Sequence, residues 1–407
     1  MAYRVRRCRT PEELIHAIRP IGHYFGWVPA VEDGERFARL IPPERMLAVL
    51  DEGRTVAGAG AYDFELTAPG PVGVPCAGVT IVGTLPTHRR RGLLGRLMRA
   101  QLDECHERGD PIAALWASEE TIYGRFGYGL ASLRYDMVLP RTRADLRPGA
   151  PQRVGAVRLI EADEALRMLP RLYEKARRTS PGFISRSRDW WELRRLRDEP
   201  SDRPAGAGPI NIAVHELDGR IDAWALYRIA QREEDGRFKG QVRVVEAIGL
   251  DPAGTHEIWR FLLEVDLMEE ITMRLLPVDT PLLQLVARPS SLSFRVNTGL
   301  WVRPVDVGAA LSARGYAREG RVTFEVADAF CPWNEGTWTL ADGTAKRSSR
   351  SPDLRLDVTA LGTTYLGGFS FGQLVRAGVV EEVRRGAAAR ADAMFASSRA
   401  PWCPEIF

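Results

Sequence analysis

The feature that most restricts this chain is the run Val79-Thr80-Ile81-Val82-Gly83-Thr84-Leu85-Pro86-Thr87-His88-Arg89-Arg90-Arg91-Gly92-Leu93-Leu94-Gly95. It reads as an apolar strand, a tight basic turn, and a glycine at the mouth of an amphipathic helix running from about Gly92 to Glu107. The first turn of a helix carries backbone N–H groups without internal partners, and its dipole favours negative charge. A pyrophosphate placed there accepts those hydrogen bonds. Gly92 and Gly95 remove side chains where phosphates must approach the backbone, and three arginines add long-range attraction for an anion. Three arginines alone describe a solvated surface turn. The strand before them and the glycine and helix after them turn the reading to anion binding. Neither the dinucleotide fingerprint nor the Walker glycine spacing is present.

A length of 407 residues suggests two or three domains. The first segment opens with Thr10-Pro11-Glu12-Glu13, a helix start in which Thr caps, Pro takes the first turn and Glu13 completes a capping box. Met46 to Leu50 and Thr55 to Leu66 read as strands around Asp51-Glu52-Gly53-Arg54, and Gly78 to Thr84 as a third. Gly109 is placed to end the helix that starts near Gly92. Ile112 to Ala117 is the next strand, then a short helix near Ile122, then strands ending near Leu139. After the linker Arg147 to Pro151, a second segment contains Trp190-Trp191, a hairpin turning at Asp218-Gly219, the strand Val242 to Ile248 and a helix carrying Ile258, Phe261, Leu262 and Val265. A third, from about Trp301, contains several strands and ends in Trp402-Cys403-Pro404-Glu405-Ile406-Phe407. The fold class expected is α/β with mixed sheets.

The totals narrow the function. A net charge of +3 over this length gives no case for nucleic-acid binding. The five cysteines are scattered and unpaired by spacing, and the six histidines lack metal spacing, so neither a disulfide framework nor a metal site is expected. No apolar stretch follows the basic N-terminus and no run is long enough to span a bilayer. A cytoplasmic protein is expected, with leaderless export left open.

Arg89-Arg90-Arg91-Gly92 after an apolar strand resembles the Arg-x-x-Gly-x-Gly/Ala turn of the Gcn5-related N-acetyltransferases, with Leu94 departing from the final Gly/Ala position. Together with Ile122-Tyr123-Gly124-Arg125-Phe126-Gly127-Tyr128-Gly129, it is similar to the enhanced intracellular survival (Eis) branch of that family. The resemblance implies acetyl-CoA as co-substrate and three parts. These are a catalytic acetyltransferase domain (1–147), a degenerate acetyltransferase-like domain (152–295) and a sterol-carrier-like α+β domain (296–407) that supplies the tail. It implies that Val82, Gly83 and Thr84 pair with the pantetheine arm, with the Val82 N–H as oxyanion donor. Arg90, Arg91, Gly92, Leu93, Leu94 and Gly95 would hold the pyrophosphate, with Ser118 and Glu119 flanking the cofactor.

Tyr123 would be the general acid for the departing thiolate, against the alternative of a core tyrosine beside Phe126 and Tyr128. The carboxylate of Phe407 would be the base that takes the amine's proton, against the alternative of an ordinary buried terminus. Direct transfer to a small cationic amine, aminoglycoside-like, is the activity implied, in a homohexamer. Glu32, Asp33, Glu35 or Glu119 could attract such cations. The rivals are a protein-lysine acetyltransferase effector and a non-catalytic CoA- or lipid-binding protein. The second segment echoes the first. Val82-Gly83-Thr84-Leu85-Pro86-Thr87 lines up with Ile248-Gly249-Leu250-Asp251-Pro252-Ala253, and without gaps His256-Glu257-Ile258 falls opposite Arg90-Arg91-Gly92. Glu257 has the wrong charge for pyrophosphate, Ile258 blocks its approach, and Asp251 favours capping the helix over capturing an anion.

Overall fold

The computed structural model describes residues 3–234 and 236–407. Strands β1 (Arg4–Arg7), β2 (Met46–Asp51), β3 (Arg54–Ala68), β4 (Val72–Thr84), β5 (Ile112–Trp116), β6 (Gly129–Leu130) and β7 (Leu133–Pro140) come first. They are followed by β8 (Ala156–Ile160), β9 (Ala207–Leu217), β10 (Arg220–Glu234), β11 (Arg237–Gly249), β12 (Met268–Leu276), β13 (Ser293–Thr298) and β14 (Leu300–Pro304). The first sheet has the order β1-β2-β3-β4-β5-β14-β6 and the second β13-β7-β12-β11-β10-β9-β8. A third, five-stranded sheet lies within residues 321–382. The architecture is mixed α/β, with two sheets of like topology followed by a smaller α+β unit.

Local signals place the elements as expected. Helix α1 (Pro11–Phe25) starts on Thr10, whose Oγ1 accepts the Glu13 N–H at 3.2 Å, and stops at Gly26 with φ +70. The expected capping box is not closed, because the Glu13 carboxylate turns outward to the Arg9 N–H (2.8 Å) and the Arg6 guanidinium (2.7 Å). A cation in reach outcompetes the neutral amide of Thr10. Helix α2 (Gly34–Leu40) follows, and α3 (Leu93–Arg108) ends on Gly109 at φ +77. The turns at Glu52-Gly53 and Asp218-Gly219 have both central φ values positive, as two-residue hairpins of the primed type require.

Two strands change places between the first two sheets. Strand β7, read above with the first segment, pairs with β12 and β13 in the second sheet; β14 returns to lie between β5 and β6 in the first. The exchange is pinned where Gly299 crosses Ser132. The Gly299 N–H donates to Ser132 O (2.9 Å), the Leu300 N–H to Ser132 Oγ (2.9 Å), and a Cβ on Gly299 would stand 2.4 Å from that hydroxyl. Pairing partners so far apart in sequence leave no local signature.

The second segment does copy the first, but the ungapped alignment fails beyond its opening. Leu93 follows Thr84 by nine positions, whereas Pro252 follows Gly249 by three. His256, Glu257 and Ile258 therefore lie inside the helix Pro252–Glu264, buried, not at its mouth. That mouth is closed by Asp251, whose Oδ1 accepts the Gly254 N–H at 2.8 Å. The basic turn is deleted rather than mutated.

Candidate active site

Strands β4 and β5 run parallel but pair only at Cys76–Ile112, Ala77–Ala113 and Gly78–Ala114. Beyond Gly78 both continue, β4 to Thr84 and β5 to Trp116, with no pairing between them. Past that point β4 bulges: Gly58 faces Gly83 and Gly60 faces Thr80, so Ile81 and Val82 together oppose one residue of β3. Ile81 takes φ +56 there. Positive φ in a β-branched residue is rare and strained, and strain of this kind concentrates at functional sites. A bulge re-aims the groups around it, and on the side away from β3 the Val82–Thr84 backbone lines a gap, while Gly83 and Thr84 stay paired with Gly58 and Ala57. Gly83 has a further reason to be glycine, since a Cβ there would meet the Ile21 backbone of α1 at 2.6 Å.

The turn after β4 is exposed at Arg89, Arg90, Arg91 and Gly92. Arg90 (φ +61) and Gly92 (φ +76) are left-handed, and no side chain caps α3. The Arg96 N–H bonds back to Gly92 O at 3.2 Å, so the amides of Leu93, Leu94 and Gly95 precede the first intrahelical bond. A Cβ on Gly92 or Gly95 would meet nothing within 4 Å, which leaves open space over the helix mouth. Arg91 donates to the Tyr3 hydroxyl (2.5 Å), Arg96 to Tyr3 O (3.1 Å), and His88 pairs with Asp51 (3.1 Å). These contacts hold the turn against β1 and the β2–β3 hairpin. Open glycine faces, free first-turn amides and exposed guanidiniums together fit a diphosphate.

Across the gap, Ser118 and Glu119 follow β5 and are exposed. Glu119 caps helix α4 (Glu120–Tyr123): its Oε1 accepts from Thr121 Oγ1 (2.7 Å) and from the Thr121 N–H (3.3 Å), which hold its carboxyl below the usual range. Tyr123 ends that helix with its ring buried and edge-on to Tyr128 at 6.0 Å. Burial pushes the Tyr123 phenol up to about 12. Its hydroxyl has no protein partner among the described residues and is not enclosed, unlike that of Tyr128, which is enclosed and unpartnered. The glycines of this motif serve docking. The Arg303 guanidinium lies 2.7 Å from where a Cβ on Gly127 would be, and Thr359 O 2.0 Å from one on Gly129. Arg303 is fully buried and forks onto Asp328 (3.0 and 2.7 Å), tying the third unit to the motif.

Phe407 reaches the same region. It packs against Phe64 (5.1 Å between ring centroids) and Tyr62 (6.3 Å), and its Cε2 would lie 3.4 Å from a Cβ on Gly78, the last paired residue of β4 before the gap. Of the acidic candidates, Asp33 is bound by Arg36 at 2.8 Å, while Glu32 and Glu35 are exposed. Sequence reasoning missed the segment beside them. The Tyr24 hydroxyl donates to Thr84 O (2.8 Å), which brings the end of α1 to the tip of β4, and Phe25, Trp27 and Val28 follow it with 61%, 40% and 78% exposure. Large apolar residues on both sides of a helix-ending glycine were the available signal.

Known proteins bear on this geometry. Residues 5–131 match an acetyltransferase (GNAT) domain family, residues 182–304 a second acetyltransferase (GNAT) domain family, and residues 307–404 the sterol carrier protein domain. An uncharacterized N-acetyltransferase of Streptomyces avermitilis is 41% identical over 94% of each chain. The N-acetyltransferase Eis of Mycobacterium tuberculosis is 33% identical over 90% of each. The crystal structure of Eis1 from Mycobacterium abscessus superposes with a TM-score of 0.87 at 30% identity, covering all of both chains.

Proposed function

This chain belongs to the Eis branch of the Gcn5-related N-acetyltransferases, and from that premise we propose that it moves the acetyl group of acetyl-CoA directly onto a primary amine of a small cationic, aminoglycoside-like acceptor. The observation that carries the reading is the end of β4–β5 pairing at Gly78, with a glycine-flanked basic turn at one side of the gap and Tyr123 and Phe407 near it.

In this reading Arg90, Arg91, Gly92, Leu93, Leu94 and Gly95 hold the pyrophosphate by free amides and charge. Val82, Gly83 and Thr84 pair with the pantetheine arm, and Ser118 and Glu119 border it. The amine nitrogen attacks the thioester carbonyl, and the oxygen that gains charge is met by the Val82 N–H. The amine's proton passes to the Phe407 carboxylate. The C–S bond breaks and the sulfur takes the Tyr123 proton; solvent then returns a proton to the phenolate as the Phe407 carboxyl releases the one it took. A phenol pushed up to about 12 stays protonated through the physiological range, so that proton is always in place. A covalent acyl-cysteine is disfavoured: all five cysteines are buried, and burial raises the thiols of Cys8, Cys105 and Cys403 to about 12. The family relation also supports assembly into a homo-oligomer, with six copies expected.

The test is CoA release by untagged protein with a panel of aminoglycosides, polyamines and lysine peptides. Turnover with small polyamines that lysine peptides do not outcompete supports the proposal. Peptide-preferring turnover gives the protein-lysine reading, and no turnover with any amine leaves a non-catalytic CoA binder.

A further inference from the structure

The second sheet contains the same strand gap as the first. Strands β11 and β12 pair in parallel from Gly240–Met268 to Val244–Met273, then run on to Gly249 and Leu276 with no pairing between them. As in β4, a bulge follows the last pair, here with Leu226 facing Glu246 and Tyr227 facing Val244. This gap has no basic turn and its helix is capped by Asp251, yet it is occupied. The chain's own last residues touch its β12 wall directly and are tied to its β11 wall through two arginines.

On the β12 side, Leu275 takes φ +58 and its carbonyl accepts the Trp402 indole N–H at 2.6 Å. On the β11 side stands Glu246, fully buried, held by Arg186 and by Arg195 (2.7 Å) and accepting the Trp224 indole N–H (2.7 Å). The same two arginines hold Glu405, at 2.5 Å from Arg186 and 3.3 Å from Arg195. Arg186 is wholly enclosed, its guanidinium 3.7 Å from the Tyr173 ring centroid. Two arginines thus bridge two glutamates out of water, one on β11 and one on the tail. The Trp402 N–H also donates to Pro181 O (2.8 Å), and a Cβ on Gly182 would collide with the Trp402 backbone at 2.8 Å. Cys403 and Phe407 already belong to the core of the first sheet.

We propose that the gap in the second sheet is a seat for the C-terminal segment, which grips Trp402 and Glu405 so that Phe407 is presented at the gap of the first sheet. Glu405 is then a positioning residue for acetyl transfer, acting through Phe407. Buried ion groups contribute little net stability compared with apolar packing, but they fix register, because a displaced ion is left unpaired out of water. A slip of the tail by one residue would strand Glu405 and both arginines, so the cluster sets where residue 407 ends. The degenerate domain keeps the acetyltransferase gap and uses it to hold protein. The inference rests on the proposed function only for the use made of Phe407.

Two full-length variants test it: Glu405→Ala, and the charge-balanced Arg195→Ala/Glu405→Ala, which leaves Arg186 opposite Glu246 if the single variant folds poorly. Amide hydrogen exchange over residues 402–407 reads the seat; kcat and the acetyl-CoA KM read the chemistry. We expect exchange to accelerate about tenfold or more. We also expect kcat to fall about tenfold or more while the acetyl-CoA KM stays within about twofold. Tail amides as protected as in the parent in both variants would overturn the seat. Fast exchange with undiminished kcat would keep the seat and overturn the Phe407 carboxylate as base.

Discussion

The ring of Phe407 lies 5.1 Å from the ring of Phe64 at an interplanar angle of 67°. Phe64 stands opposite Cys76 across β3 and β4, where β4 still pairs with β5, so the two rings mark the floor of the gap. An unanchored chain end would not keep an aromatic ring 9% exposed. This contact brings the side chain of residue 407 to the start of the strand gap, and the first prediction joins it to the proposed role of that residue's carboxylate. One glycine added beyond Phe407 moves the charge by a residue while leaving the ring in place. Amine turnover should fall about a hundredfold, with acetyl-CoA affinity nearly unchanged. Equal turnover in the extended protein removes Phe407 from the mechanism.

Tyr123 and Tyr128 should respond oppositely to losing their hydroxyls. Tyr123→Phe removes a hydroxyl that has no protein partner, so melting should hardly change while kcat drops about 10²-fold or more. Tyr128→Phe removes an enclosed, unpartnered hydroxyl and should stabilise the fold by about 1 kcal/mol with turnover kept. The parent kcat should also show no alkaline decline from Tyr123 up to pH 10, since its proton is lost only near about 12. A decline shared by the parent and Tyr123→Phe belongs to another group.

Gly95 sets stability against binding. It lies in the first turn of α3 with free space where a Cβ would go, so Gly95→Ala adds helix propensity without collision. The melting temperature should rise, by up to about 1 kcal/mol in stability. The acetyl-CoA KM should rise about tenfold as the methyl narrows the approach to the amides. A rise in stability with an unaltered KM would move the pyrophosphate elsewhere.

The buried ion group predicts an acid response. Burial alone would raise the Glu246 carboxyl, but the charges of Arg186 and Arg195 hold it down from 4.5 to about 2. A carboxyl depressed in the folded state contributes stability above its unfolded value and loses that contribution as pH falls towards the folded one. Protection of the 402–407 amides should therefore decline between about pH 4.5 and pH 2. In Glu246→Gln that pH dependence should be absent.

Much of the first gap could be read from the chain. A strand, a basic turn with glycines and a helix are contiguous, and their consequences for backbone amides are local physics. The same holds for the Thr10 and Asp251 caps and the Gly109 stop. The Ile81 bulge could not be read, because an isoleucine at positive φ is imposed by the strands beside it. Nor could the role of Gly127 and Gly129, whose glycine requirement comes from Arg303 and Thr359, more than 170 residues away.

What the sequence alone determined is the chemistry offered at the α3 mouth, since hydrogen-bonding groups within one turn depend only on near neighbours. Tertiary structure decided the exchange of β7 and β14, the filling of the second gap, and the delivery of Phe407 to the first. Each of these joins residues scores to hundreds of positions apart. Only burial in a common core gives such pairs a free-energy reason to meet, and no local pattern encodes it.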